Sequence, residues 1–156
     1  MHTGKHASAS IIMVITKYLA SVHLGALGEA LTVEKKSNLD LAKTYKGIMA
    51  SSGNSFVHET ESQVILNGSY NINFTMDLVL KDTGLFDDLA KKLKAPLEIS
   101  PLVVDIFKDG QKKYGSKAWS SMIVKRMEDI NKIDFRANGF PEELIDNESE
   151  EIGYEI

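Results

Sequence analysis

Several places along the chain carry side chains whose chemistry goes beyond packing. Gly53-Asn54-Ser55 stands at the start of a helical pattern. Free backbone N–H groups and short polar side chains there suit an anion such as a substrate carboxylate. The same residues also serve as plain helix caps, and both roles can hold at once. Phe74 and Asp82, with Lys81 beside the acid, are eight residues apart. That is two helical turns and a little more, so they share a face. On chemistry alone this is an exposed Lys–Asp pair and a core phenylalanine. Lys17 interrupts a long apolar run, where its aliphatic stem lets the ammonium reach solvent. His23 and His58 could serve as ligands or proton carriers. They fall on different helices with no carboxylate at ligand spacing, so no metal site is read from them. His2 and His6, close to the first residue, carry no argument.

The elements that must position these residues read as helices. Ala7 to about Lys36 forms one long proline-free helix. Its apolar residues cover nearly the whole circumference, the mark of a helix packed on several sides. Gly25 and Gly28 each cost roughly 1 kcal/mol in a helix interior, and close approach of another helix is the expected compensation. Ser37-Asn38 breaks this element, and Asp40 opens a second helix running to about Ala50. A third follows a cap at Asn54 or Ser55 and ends at Asn67-Gly68. A fourth is expected from Phe74 to Leu93, stopped before Pro96. A fifth starts at Ser100-Pro101 and ends at Tyr114 before Gly115. A sixth, capped by Ser116, reaches about Ile130 and holds Trp119 as a packing residue. No alternating strand pattern stands out, so the fold class is all-α, about six helices around one long buried helix.

Composition bounds what this domain can be. With 156 residues, 43% hydrophobic and 26% charged, it fits a single soluble globular domain. There are no cysteines, which excludes disulfides and Cys-ligated metal. From Ile133 onward there are eight acids and one base. Residues 1–132 are therefore expected to form the domain, and 133–156 an acidic, solvated tail. Phe135, Phe140 and Tyr154 leave room for that tail to dock on the body or on a sister chain. The body is only weakly positive, so no nucleic-acid partner is expected. Ile11 to Val33 is long enough to check for a membrane span, but it contains Lys17, His23 and Glu29 on different sides, which favours a core helix. The sequons at Asn67, Asn73 and Asn147 matter only in a secretory context, and no signal peptide is visible.

A resemblance carries the reading further. Val22-His23-Leu24 leads to Gly28-Glu29-Ala30-Leu31, then to Gly53-Asn54-Ser55-Phe56 and Asn67-Gly68-Ser69-Tyr70. Phe74 and Leu78-Val79-Leu80-Lys81-Asp82-Thr83-Gly84-Leu85 follow in order, with a weaker match at Tyr114-Gly115 and Ser120-Ser121. In this order and spacing, roughly residues 7–128 resemble the C-terminal half of the 3-hydroxyisobutyrate dehydrogenase family of β-hydroxyacid dehydrogenases, nearest to its L-threonate-type members.

The resemblance implies a fold like the C-terminal domain of 6-phosphogluconate dehydrogenase. It implies a substrate-binding and dimerising partner for an N-terminal Rossmann domain that binds NAD or NADP. No Gly-x-Gly-x-x-Gly follows a strand here, so the chain is expected to be incomplete as an enzyme. It would be part of a longer oxidoreductase or pair with a separate Rossmann chain. The substrate would be a small 3-hydroxy acid. A cytoplasmic address is expected, a mitochondrial one being the alternative.

The resemblance also assigns residues. Aligned without a gap from Glu29, the family's catalytic lysine position holds Met13, which cannot transfer a proton, and the family's asparagine position holds Lys17. Two readings stand. In one the domain is catalytically degenerate, a helical interaction module. In the other Lys17, one turn beyond Met13, takes over the lysine's role. Asp82 would orient the lysine, Phe74 would line the cleft with Gly53, Asn54 and Ser55 as substrate contacts, and Lys81 would lie near the nicotinamide.

Overall fold

The computed structural model describes residues 8–144, and within them the chain is all-helical. Six helices follow in order: α1 (Ser8–Lys36), α2 (Leu41–Met49), α3 (Phe56–Asn67), α4 (Met76–Leu93), α5 (Ile99–Tyr114) and α6 (Met122–Asn131). The expected class and helix number are observed. His2, His6, Asn147 and Tyr154 lie outside the described residues.

Local signals set several helix ends. Asp40 caps α2, its Oδ1 accepting from the Ala42 and Lys43 N–H groups at 3.0 and 3.2 Å. Ser55 Oγ accepts from His58 N at 3.1 Å and starts α3. Gly68 closes α3 with φ of 97°, a left-handed cap that glycine adopts without a Cβ clash.

Two starts depart from expectation, for one shared reason. Helix α4 begins at Met76 rather than Phe74, and α6 at Met122 rather than Ser116. The chain before α4 pairs with the segment before α6. Met76 N donates to Ala118 O at 3.0 Å, Asp77 N to Ser116 O at 3.1 Å, and Ser120 N to Phe74 O at 2.8 Å. The first-turn N–H groups of α4 thus find partners far along the chain, and Ser116–Ser121 stays out of α6. Trp119 therefore lies in the connection rather than in the helix. There it packs against the core and forms an isolated bridge with Thr75.

Helix α1 is the axis of the bundle and touches α3, α4, α5 and α6. Leu24, Leu27 and Leu31 are buried against Ile65 of α3, Val79 of α4, Phe107 of α5 and Val124 of α6. Each such side chain contributes about 1.5–3 kcal/mol by leaving water. The expected close approach is present at Gly28, where a Cβ would sit 3.5 Å from Met127 Cγ and Val124 Cα. At Gly25 nothing lies that close.

Only the C-terminal half of α1 is buried, which corrects the expectation of a helix buried along its length. Ile11, Ile12, Met13, Ile15 and Leu19 are exposed, with no other helix among the described residues covering those sides. By length and apolar composition alone, Ser8–Lys36 could cross a membrane. Its C-terminal half has the place of a core helix.

Packing does not stop at residue 132. Phe135 is fully buried, and Ile133, Ala137 and Phe140 lie against the same core. Backbone and side-chain bonds fix this segment. Phe135 N donates to Glu128 Oε1 at 2.8 Å, Ala137 N to Leu66 O at 3.0 Å, and Asn67 Nδ2 to Phe140 O at 3.1 Å. Arg136 Nη1 donates to the buried Glu128 carboxylate at 2.9 Å, and Tyr70 OH donates to the same group. The residues between Ile133 and Leu144 that composition assigned to a tail are docked on the body.

Candidate functional site

The bundle brings Lys17 and Asp82 together. Lys17 comes from the exposed half of α1 and Asp82 from the inward face of α4. Lys17 Nζ lies 2.9 Å from Asp82 Oδ2, with the lysine side chain 40% exposed and the carboxylate only 13%. The same ammonium sits 5.7 Å from the centre of the Phe74 ring, within reach of a cation–π attraction. A neighbouring stack holds the two helices in register: Tyr18 follows Lys17, Phe86 is one turn past Asp82, and their rings are parallel at 3.9 Å.

Lys17, Asp82 and Phe74 line one small cavity of about 70 Å³, together with Ser21, Ser120 and Glu61. The arrangement can hold a small polar group against an ammonium that is steadied by a carboxylate. An ammonium so placed polarises an oxygen bound beside it and can exchange a proton with it. Met13, in contrast, is 52% exposed and is no part of this wall.

Glu61 of α3 also lines this cavity and is a residue that the sequence did not single out. Glu61 is half-buried as a residue, and its Oε2 is shielded from solvent with no hydrogen-bond partner among the described residues. Burial pushes its carboxyl up to about 8. Glu61 and Phe74 also border a second, larger cavity of about 600 Å³, lined further by Tyr45, Phe56, Glu59 and Leu144. One signal could have found Glu61. It stands four residues after Val57 and four before Ile65, both buried, which places an acid on the apolar face of α3.

The remaining predicted residues go elsewhere. Lys81 is exposed on α4 and is not in the wall of the small cavity. Gly53, Asn54 and Ser55 border a different hollow of about 260 Å³, with His23 and His58. Their polar atoms serve local structure. Ser55 Oγ caps α3, Ser55 N donates to Asn54 Oδ1 at 2.9 Å, and Asn54 Nδ2 donates to Glu59 Oε1 at 2.5 Å. The buried His58 ring is held between Tyr45 O and Ser62 Oγ, each at 3.0 Å. Among the described residues no three His, Asp or Glu side chains gather as metal ligands.

Comparison with known proteins follows the same lines. Residues 8–127 match the family described as NAD-binding of NADP-dependent 3-hydroxyisobutyrate dehydrogenase. L-threonate dehydrogenase of Escherichia coli K12 is 28% identical over 116 residues, which is 74% of this chain and 38% of that protein. L-threonate dehydrogenase of Cupriavidus necator is 32% identical over 102 residues, 65% of this chain and 34% of that protein. Among solved structures, 3-hydroxyisobutyrate dehydrogenase from Salmonella typhimurium superposes with a TM-score of 0.70 at 28% identity, covering 76% of this chain and 42% of that one. The Mycobacterium tuberculosis 3-hydroxyisobutyrate dehydrogenase, in a structure with L-serine, gives a TM-score of 0.72 at 19% identity, covering 81% and 46%. That second likeness speaks to fold. The chain thus spans between about a third and just under half of the length of these relatives.

Proposed function

This chain belongs to the family described as NAD-binding of NADP-dependent 3-hydroxyisobutyrate dehydrogenase, and from that premise we propose that it is the substrate-binding and dimerisation part of an NAD(P)-dependent dehydrogenase of small 3-hydroxy acids. The observation that carries the reading is the Lys17–Asp82 pair at 2.9 Å beside Phe74. Lys17, as the neutral amine, would take the proton of the substrate hydroxyl, and the nicotinamide, when bound, would supply the hydride acceptor. Asp82 would hold the ammonium in place, and Phe74 would shield the cleft from water. The nucleotide would be bound mainly by a Rossmann domain supplied in the same protein or by another chain. By the family resemblance Lys81, exposed on α4, would lie near the cofactor's nicotinamide end. The Gly53-Asn54-Ser55 turn, spent on capping and facing a different hollow, is a weaker candidate for substrate contact.

The test is reconstitution. The chain, joined to the Rossmann domain of a relative, is given NAD or NADP with 3-hydroxyisobutyrate, L-threonate or glycerate, and reduced cofactor is followed by absorbance. Turnover that falls roughly 100-fold or more in Lys17→Ala supports the assignment. Turnover unchanged by Lys17→Ala removes Lys17 from the chemistry.

A second reading has its own observation. Met13 occupies the position where the family pattern places its lysine, and it is exposed among Ile11, Ile12 and Ile15. On that reading the domain is a catalytically degenerate interaction module, and no hydroxy acid is oxidised whichever Rossmann domain is supplied.

A further inference from the structure

Helix α1 carries a second face that the candidate site does not use. Ile12, Ile15, Leu19, Ala26, Ala30 and Val33 are all exposed. At 3.6 residues per turn they form one stripe on the side of α1 opposite Lys17. Their spacing of three and four residues, broken only between Leu19 and Ala26, is that of a seam that packs on another helix. The two halves of the stripe differ in size. Ile12, Ile15 and Leu19 are bulky, whereas Ala26 and Ala30 are small and border the hollow of about 260 Å³ that Ile48 and the Gly53-Asn54-Ser55 turn also line. No lysine, aspartate or glutamate belongs to the stripe, and Glu29 stands at its edge.

We propose that this stripe seats a second copy of the chain, whose α1 runs antiparallel to the first about a twofold axis between Val22 and His23. The inference rests on the dimerisation part of the reading above and deepens it by naming the surface and its register. In a twofold pair, residue i of one copy meets j of the other and j meets i. Positions 12 and 33, 15 and 30, and 19 and 26 lie at equal distances from the axis along the chain. Ile15 of each copy therefore faces Ala30 of the other, Leu19 faces Ala26, and Ile12 faces Val33. Large side chains meet small ones, and Ile15 and Leu19 find room in the other copy's hollow. A parallel pair would set Ile15 on Ile15 and Ala26 on Ala26, crowding one end and leaving a gap at the other. The stripe is about 32 Å long and roughly 10 Å wide, on the order of 300 Å² for each copy. Its edges and the walls of the hollow add to that, toward the roughly 600 Å² per partner at the lower end of specific interfaces. No like charges are brought face to face across it.

The chain has no cysteine of its own, so introduced ones report the register. Ile15→Cys and Ala30→Cys are made separately, mixed and oxidised gently in native buffer. A disulfide requires Cα atoms within about 7 Å of each other. The expected product is a cross-linked pair of one variant with the other, with little from either alone, while His23→Cys beside the axis links to itself. Sedimentation should report a wild-type dimer at micromolar concentration. Ala26→Glu sets a carboxylate against Leu19 of the other copy and should weaken association at least about ten-fold. Ala26 is exposed, so this variant should keep the wild-type circular dichroism; if it does not fold, the cross-linking pattern decides. Self-linking of Ile15→Cys in place of the mixed product overturns the antiparallel register. A wild-type dimer that forms no mixed product and is unmoved by Ala26→Glu overturns the α1 pairing and leaves the dimerisation reading in place. A wild-type monomer at micromolar concentration overturns both.

Discussion

Lys17 Nζ and Asp82 Oδ2 meet at 2.9 Å across the α1–α4 contact, so the cation beside the candidate site is Lys17, one helical turn beyond Met13. Since Asp82 is the more buried partner, the aspartate sets the position and the half-exposed lysine follows it.

Asp82→Asn separates the structural share of this pair from its chemical share. An ion pair whose lysine is so exposed is worth at most about 1 kcal/mol, so the melting temperature should move little. In the reconstituted enzyme kcat should fall at least about ten-fold with KM nearly unchanged, the pattern of a residue that positions the reacting cation. A large loss of stability with kcat intact would make Asp82 a purely structural residue.

Glu61 should make stability depend on pH. Its carboxyl, near 4.5 when unfolded, is pushed up to about 8 in the fold. Between these values the folded state holds a proton that the unfolded state has lost, so stability falls as pH rises through that window and levels off above it. The cause is burial; the other charged groups lining the two cavities are Lys17 of α1, Asp82 of α4 and Glu59 of α3. Denaturant unfolding of wild type and Glu61→Gln should give curves that diverge from pH 4.5 to 8, on the order of a few kcal/mol at the upper end. Parallel curves would mean that water reaches the carboxyl.

Gly68→Ala should destabilise the domain by about 1–3 kcal/mol. The residue sits at φ of 97°, and an added Cβ would fall 2.5 Å from Arg136 Nε. The loss combines backbone strain with displacement of an arginine that serves Glu128. Chemical denaturation measures it, and a neutral outcome would mean that Arg136 has other positions open to it.

Phe135→Ala tests whether the chain beyond α6 belongs to the core. Removing a fully buried phenylalanine costs about 3–5 kcal/mol where the site cannot collapse. Glu128 and Tyr70 meet Arg136 beside it, so little collapse is expected. A shift under about 1 kcal/mol would show the docking of residues 133–144 to be marginal.

The apolar half of α1 motivates a dimer. Sedimentation of the wild-type chain at micromolar concentration should report two copies, and Ile12→Asp with Ile15→Asp should give one. A wild-type monomer would count against self-association through this face.

Much of the fold was legible because its signals are local. Asp40, Ser55 and Gly68 end or begin helices through bonds within a turn, and their residue types announce it. The starts of α4 and α6 were not legible, because each depends on hydrogen bonds between segments far apart in the chain. Phe135 and Phe140 could be named as residues able to dock, but where they pack was not legible, because their burial depends on a core assembled from distant segments. Of the candidate site, Lys17, Phe74 and Asp82 could be named from residue type and resemblance, whereas Glu61 was not singled out.

The amino-acid sequence by itself determined the helical class, most helix ends and the identity of the residues able to do chemistry, since periodicity and capping act over a few residues. The tertiary structure alone decided which of them meet. It set Lys17 rather than Met13 against Asp82, sent the Gly53 turn to another hollow, left half of α1 uncovered and sealed Glu61 in the cavity wall. These are matters of how helices cross, and crossing is fixed by packing summed over the whole bundle, which no single stretch of residues encodes.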